Sequence, residues 1–328
     1  MATEVLTPTA TLPRPNGHRR LRRLIMKVVQ GVITLLIVSL LIFLVTQAMP
    51  GDVAQIILGT HATAQDLARI RTQLGLDRPL FVQYLDWLGG VLHGDWGTSL
   101  VNGQPVSEIL SIRIRNSLIL AVIAMAVMIP LSLLIGIVAA QRRDRLVDRI
   151  FLSCSMVVNA TPEFVTGTVL IAIFGTTVVH ILPPVSFIPP ADSPLAYPAS
   201  LVLPAGTLAI TGVMYLARLV RASFIDAMES EYVQTAVLKG ISGPRILCRH
   251  VLPNAVAPII PAASLVAAYT IGGVVVVEYL FAYPGLGGAL IDAVGNRDLP
   301  EIQAIVLVIA TSYFVLNLIA DAFGQRER

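Results

Sequence analysis

Residues 116–140 read NSLILAVIAMAVMIPLSLLIGIVAA, a run that contains no charged side chain. At about 1.5 Å of rise per residue, roughly 20 helical residues cross a hydrocarbon core about 30 Å thick, so this run can span a bilayer. Its apolar residues are continuous, whereas the strands of a membrane barrel alternate apolar and polar positions. The run therefore predicts a transmembrane helix.

Five more apolar blocks of membrane-spanning length occur in the chain, separated by charged residues or proline. The composition agrees with them, since 55% of the 328 residues are hydrophobic and 13% are charged, far from the averages of soluble domains. We predict an all-α integral membrane protein with six transmembrane helices. The first block lacks a small-residue cleavage site and should remain as an anchor. The five blocks cover residues 24–48, 150–180, 200–224, 254–281 and 301–323.

Lysine and arginine residues mark one side of the predicted bundle. They cluster in residues 19–27, before the first span, and in residues 142–149, after the second, while residues 183–199 contain none. The loop after the fourth span and the C-terminal residues are also basic. Because cytoplasmic loops carry the excess of basic residues, we expect both termini to be cytoplasmic. This topology explains the net charge of +3, and we expect no nucleic-acid partner.

The regions outside the predicted spans differ in character. Residues 1–23 are predicted to be a disordered cytoplasmic arm, and residues 324–328 a cytoplasmic tail. Residues 50–115 are predicted to form an extracytoplasmic domain with an amphipathic helix over 63–74. This domain contains both tryptophans, Trp87 and Trp96. Such rings anchor a protein at the membrane surface, and contact with a docked partner is the alternative.

Few side chains in the predicted spans could support chemistry. Apart from Glu301 at the start of the sixth block, the acids within the spans are Glu163, Glu278 and Asp321. Glu163 follows Pro162, which can break a helix, so its carboxylate either faces a wet cavity or lies near the cytoplasmic surface. An ion-coupled carrier would normally need several such groups. The spacing of His, Cys and carboxylate residues suggests no metal site, and we expect no cofactor bound by this chain.

Residues 225–253, which we call the coupling loop, are polar and helix-forming and connect the fourth and fifth spans. Ser230 is predicted to cap a short helix, and Gly240 to stop it in the left-handed conformation that other residues resist. Ser242 then starts a second short helix. The loop either offers an apolar face to a groove in another protein or lies on the membrane surface. The apolar face consists of Tyr232, Val233, Ala236 and Val237.

The coupling loop resembles the cytoplasmic signature of permeases in ATP-binding-cassette (ABC) importers. Ala236 stands four residues before Gly240, and Leu252 and Pro253 stand at the expected downstream positions. Residues 231–240, EYVQTAVLKG, look like the version found in dipeptide and oligopeptide permeases.

The signature shows two departures here, because residues 234–236 read QTA instead of EAA and His250 replaces an isoleucine. The resemblance nevertheless extends over nearly the whole chain. The chain is similar to the DppB/OppB-like permeases of dipeptide and oligopeptide importers, which implies a type I ABC importer permease with an extracytoplasmic insertion after the first helix. The further matching segments are MPGD at 49–52, LGLDRP at 74–79, GDWGTS at 94–99, VE at 277–278 and YPGLG at 283–287.

The resemblance implies a subunit of a larger assembly in the bacterial plasma membrane. Its partners would be a second permease (DppC/OppC-like), two ABC ATPases (DppD/DppF-like or OppD/OppF-like) and an extracytoplasmic peptide-binding protein. The chain has no Gly-x-x-x-x-Gly-Lys-Ser/Thr phosphate loop, so we expect a transport subunit rather than an enzyme, with ATP and Mg²⁺ used by the partner ATPases. The expected substrate is a peptide, although such relatives also carry glutathione, nickel complexes or oligosaccharides.

The resemblance also implies two sets of site residues. The binding protein would dock at Trp87, Trp96, Tyr283 and Pro284. The expected ATPase-coupling residues are Glu231, Tyr232, Thr235, Ala236, Lys239, Gly240, Leu252 and Pro253.

An ion-coupled carrier or channel for small solutes is the alternative function, followed by an intramembrane enzyme.

Overall fold

A computed structural model describes residues 17–49, 63–73, 77–189, 192–256 and 259–324. Over these residues the chain is helical, with one isolated antiparallel bridge between Thr98 and Pro105, so the predicted all-α class is confirmed. Two π-helical turns, Ile171–Thr176 and Leu247–Val251, and a 3₁₀ turn, Pro194–Ala196, supplement the α-helices. The α-helices are α1 (Gly17–Ala48), α2 (Ala64–Gln73), α3 (Leu80–Leu92), α4 (Val106–Gln141), α5 (Leu146–Ala160), α6 (Glu163–Leu170), α7 (Pro198–Met228), α8 (Glu231–Leu238), α9 (Gly243–Ile246), α10 (Leu252–Val256), α11 (Ile259–Leu280), α12 (Leu286–Asn296) and α13 (Leu299–Gly324).

By length and composition, the described helices provide four candidate membrane crossings, and up to six when each bent helix pair is counted as one span. Four single helices are long and apolar enough to cross: α1, α4, α7 and α13. Two further crossings are helix pairs, one formed by α5 with Glu163–Thr176 and one formed by Gly243–Val256 with Ile259–Thr270, bent by 48°. The six predicted blocks each correspond to one of these crossings.

The third crossing, predicted as a single span over 150–180, is sharply broken. Its arms Leu146–Ala160 and Glu163–Thr176 meet at 108°. Thr161 is extended, as a residue before proline prefers, and Pro162 has no N–H with which to continue the helix. The first arm has 15 residues and is only about 22 Å long, shorter than a hydrocarbon core.

α4 and α7 lie in close contact at the centre of the bundle. A Cβ on Gly136 would lie 2.6 Å from the Cβ of Val220 and 2.7 Å from the carbonyl oxygen of Ala217. Gly212 of α7 leaves room for Met128 in the same way. Small residues at such contacts let membrane helices approach closely. A buried cluster extends the contact to α11 and includes Leu120, Ala124, Leu208, Val277 and Phe281.

α1 packs against α13 at the side of the bundle. A Cβ on Gly31 would overlap the Phe314 ring, and the Gln303 amide donates a hydrogen bond of 2.7 Å to the Thr46 hydroxyl. The outward face of α1 exposes a row of large apolar side chains, as expected for a helix in contact with lipid.

Two helix boundaries differ from the sequence prediction. α1 begins at Gly17, so residues 17–23, which the sequence assigned to the disordered arm, are helical. Their one leucine and four arginines are good helix formers, so the helix of the first span continues through them. α4 begins at Val106, so the end of the 50–115 region is an extension of the second span. α2 matches the helix predicted over 63–74, except that Leu74 lies outside the described residues.

The bundle has two ends, to which we refer by their loops. The loop end carries residues 142–149 and the coupling loop. The opposite end carries residues 93–105 and 281–298.

Candidate functional site

The coupling loop begins where α7 ends at Met228. Ser230 takes an extended conformation and α8 starts at the next residue, as predicted. The Ser230 hydroxyl does not cap α8, however, because it donates a 2.6 Å hydrogen bond back to the Ala227 carbonyl. The extended backbone at Ser230 therefore separates the two helices, and its side chain closes the end of α7 instead.

Gly240 ends α8 in the predicted left-handed conformation, with φ +73°. Its N–H donates to the Val237 carbonyl at 2.9 Å, and the Ile241 N–H donates to the Ala236 carbonyl at 3.2 Å. These two bonds form a Schellman motif, which satisfies the last carbonyls of a helix. No atom lies within 4 Å of a Cβ placed on Gly240, so the backbone angle rather than crowding requires glycine here.

The return half of the loop is a chain of short helical pieces. α9 follows Ser242, as predicted, and the π-helical turn and α10 continue it. Leu252 is half-buried and Pro253 is exposed, both in α10. The loop thus forms a short hairpin of helical segments at the loop end, in which α8 and α9 contact each other.

One face of this hairpin is packed against the transmembrane helices. Val233 and Ala236 of α8 are only 6% and 5% exposed, because they lie in one buried cluster with residues at the ends of α4 and α7. The prediction that they present an apolar face to another protein is therefore wrong. The buried members of this cluster are Ala140, Phe224, Ala227, Val233, Ala236, Ile246, Val251 and Ala255.

The other face of α8 is open and partly apolar. Tyr232 is 44% exposed, Val237 59% and Leu238 88%. The sequence prediction missed Leu238, which lies beside the glycine stop and projects away from the buried face. The exposed polar residues on the same helix and its end are Glu231, Gln234, Thr235 and Lys239. An exposed apolar group of this kind is suited to a protein contact.

The residues predicted to dock a partner at the opposite end fall into two groups. Trp87 is half-buried on α3 in an aromatic cluster with Phe43, at 5.9 Å between ring centroids. Trp96 is also half-buried and packs beside Val106 and Leu110. Both rings are thus held against the bundle with part of their surface open.

Tyr283 and Pro284 are buried and cannot serve as docking residues. Tyr283 is 1% exposed, and its hydroxyl donates to the Asn116 carbonyl at 2.8 Å. Burial raises the pKa of Tyr283 above its usual range. The Asn116 amide in turn donates to the Pro284 carbonyl at 2.8 Å. These residues join the turn before α12 to α4.

The acids within the spans are placed against glycines. Glu163 is the first residue of α6 and half-buried, and its carboxylate occupies the space that a Cβ on Gly273 would need. Glu278 is fully buried, and its carboxylate accepts a 2.6 Å hydrogen bond from the Gly287 N–H. The side chain of Asp321 lies outside the described residues. In the described ranges no group of three or more His, Cys, Asp or Glu could hold a metal ion.

Two family models match the chain. The model described as binding-protein-dependent transport system inner membrane component matches residues 132–326, which include the whole coupling loop. The model for the N-terminal part of such membrane components matches residues 20–121.

Individual proteins agree with these matches. A glutathione transport system permease of Salmonella choleraesuis is 39% identical over 288 residues, covering 88% of this chain and 91% of that protein. A protein of Brucella abortus named as a peptide transport system permease is 36% identical over 295 residues, covering 90% and 94%.

A solved structure supports the fold alone. The crystal structure of an amino acid ABC transporter superposes with a TM-score of 0.51 at 17% identity, covering 66% of this chain and 94% of that chain. The type I permease architecture and the resemblance to dipeptide and oligopeptide permeases are thereby confirmed. The chain belongs to the family of inner membrane components of binding-protein-dependent transport systems.

Proposed function

We propose that this chain is the permease subunit of an ABC importer that carries peptides, including glutathione-type peptides, across the bacterial plasma membrane. The observation that carries the proposal is the coupling loop, whose α8 rests on the ends of α4 and α7 and leaves Tyr232, Val237 and Leu238 open. The named relatives support the substrate class. Separate ATPase subunits would bind the open face and supply the energy, with ATP and Mg²⁺ bound by them.

The coupling residues divide into two roles. Glu231, Tyr232, Thr235 and Lys239 are exposed and, with Leu238, would contact the ATPase. Ala236, Gly240, Leu252 and Pro253 would shape the loop. Ala236 does so by burial and Gly240 by its left-handed backbone. Leu252 and Pro253 do so in the return helix.

The packing suggests how movement would pass into the membrane. Val233 and Ala236 share a buried cluster with the ends of α4 and α7, and α4 and α7 contact each other closely at Gly136. Packed helices move as rigid units rather than deforming continuously. A shift of α8 on ATPase closure would therefore rock α4 and α7 together between inward-open and outward-open states.

The orientation follows from the same assignment. The loop end would face the cytoplasm, where the ATPases and both chain termini lie, as basic residues at this end also indicate. The binding protein would dock at the opposite end, on the open parts of Trp87 and Trp96. A second, related permease would pack beside this chain within the bilayer.

Copurification tests the proposal. The tagged chain is purified from native membranes in mild detergent, and copurifying proteins and ATPase activity are measured. Leu238→Glu places a charge on the open face of α8 and should remove the ATPases. Leu92→Glu is the matched control, since Leu92 is also a highly exposed leucine, at 77%, but lies at the opposite end. Retention of ATPases by Leu238→Glu, or their absence from the parent protein, would contradict the proposal.

A further inference from the structure

Two ion pairs tie the connection between α4 and α5 to the final turns of α7 and the start of the coupling loop. One joins Asp148 of α5 to Arg221 of α7. The other joins Arg143, in the connection itself, to Glu229, two residues before α8. The sequence prediction assigned the basic residues of this region to membrane topology alone.

The Asp148–Arg221 pair is bidentate and mostly buried, since the Arg221 side chain is 17% exposed and the Asp148 side chain 2%. The Arg221 Nε donates to one carboxylate oxygen of Asp148 at 2.5 Å, and Nη2 donates to the other at 2.6 Å. Asp148 is 1% exposed. Its carboxylate also accepts a 3.0 Å hydrogen bond from the N–H of Asp144, whose backbone is left-handed at φ 62°. The Asp148 carboxylate thus links α5 to α7 and also holds the turn that precedes α5.

Bidentate pairing of this kind restricts orientation as well as distance. Arg221 lies on α7, between the α4 contact at Val220 and the coupling-loop contact at Phe224. The Arg143–Glu229 pair lies further along the same path, with its side chains 47% and 64% exposed. Exposed pairs contribute little, so the buried pair is the strong link.

We propose that Asp148 and Arg221 are positioning residues that carry movement of the coupling loop into the broken third crossing. When α7 shifts, the buried pair would pull α5 with it, and the bend at Pro162 would turn that displacement into movement of α6 and Glu163. This inference rests on the proposed function, because the movement is supplied by the ATPases. It adds a second path beside the direct contact of α8 with α4 and α7.

The test compares variants in the intact complex, reconstituted in proteoliposomes. Asp148→Asn keeps the side-chain shape and removes the charge. We expect the amount of substrate taken up per ATP hydrolysed to fall about tenfold. A change of this size is typical of the coupling between two sites. ATPase copurification should persist. Arg149→Gln, on the same helix but exposed, is the matched control and should leave the ratio unchanged.

A double variant separates coupling from folding. Asp148→Leu with Arg221→Met replaces the pair by apolar side chains, which often restores the stability lost when one partner is removed. Apolar contacts are not directional, so the ratio of transport to ATP hydrolysis should stay low. Parent-like coupling in the double variant, or in Asp148→Asn, would overturn the proposal.

A distance measurement tests the link without relying on ATPase activity. The two exposed cysteines, Cys154 and Cys248, are first changed to serine. Spin labels are then attached to the thiols introduced by Leu146→Cys on α5 and Pro244→Cys on α9. Pulsed electron paramagnetic resonance should give a narrow distance distribution in the parent and a broad one in Asp148→Asn. Equal widths would overturn the inference while leaving the proposed function intact. Absence of ATPases from the purified parent protein would instead contradict the proposed function, on which the inference rests.

Discussion

The left-handed stop at Gly240 allows a test of the coupling loop that changes the backbone without crowding. A Cβ placed there meets no atom within 4 Å, so substitution adds no clash with a neighbour. The φ of +73° is costly for a residue with a side chain, by about 1–2 kcal/mol. That cost lowers the population of the native helix end relative to alternatives by roughly 5- to 30-fold.

The Schellman motif would be lost when the Gly240 backbone leaves this conformation. Its bonds to the Val237 and Ala236 carbonyls would break, and the exposed face of α8 would no longer be held at a fixed angle to the membrane helices. We therefore expect Gly240→Ala to lower transport per ATP hydrolysed. Gly240→Val should lower it further, because a β-branched residue is still less tolerant of positive φ.

Proteoliposomes containing the whole complex provide the assay, with uptake and ATP hydrolysis measured on the same sample. Gly243→Ala is the matched control, since this glycine is equally uncrowded but has no positive φ. Membrane insertion should be normal in all three variants. Unchanged coupling in Gly240→Val would refute the reasoning.

Two further predictions concern the stability of the bundle. Gly136→Val should lower the midpoint of thermal unfolding in detergent, because the added carbons overlap α7 and overpacking costs about 1–3 kcal/mol. Gly206→Ala, where no atom lies within 4 Å, is its control, and equal midpoints would contradict the close packing. Tyr283→Phe should lower the free energy of unfolding by about 0.5–1.5 kcal/mol, because the hydrogen bond to α4 is lost. Tyr279 is exposed, so Tyr279→Phe should leave the stability unchanged. Parent-like stability of Tyr283→Phe would contradict a stabilising role for the bond.

The spans and the start and stop of α8 could be predicted because they depend on local sequence. Apolar length identifies a membrane helix, and glycine identifies a left-handed stop. Pro162 likewise indicated a possible break in the third crossing. The bend of 108° could not be predicted, since it depends on how α6 packs between α7 and α11.

The errors at the candidate site concern contacts between residues distant in the sequence. Helical spacing placed Val233 and Ala236 on one apolar face, but it could not indicate that α4 and α7 cover that face. Tyr283 is buried through its bond to Asn116, far earlier in the chain. Nothing near Tyr283 in the sequence indicates this partner, and the family resemblance that implies a docking role for Tyr283 does not indicate its burial.

The Asp148–Arg221 pair shows the same limit for charge patterns. The basic residues of 142–149 indicate the side of the membrane, but Asp144 and Asp148, the two acids among these arginines, give no sign of a specific partner. Only the packing of α5 against α7 selects Arg221. A buried pair across two helices therefore requires the fold before it can be found.

The central claim is that ATP hydrolysed by partner subunits drives transport through the coupling loop. The most direct test is uptake of a labelled dipeptide or glutathione by proteoliposomes that contain the complex, with binding protein supplied at the opposite end. Uptake should require ATP at the loop end, persist when ionophores collapse the ion gradients, and disappear in Leu238→Glu. Uptake that follows an ion gradient without ATP would contradict the account and favour an ion-coupled carrier.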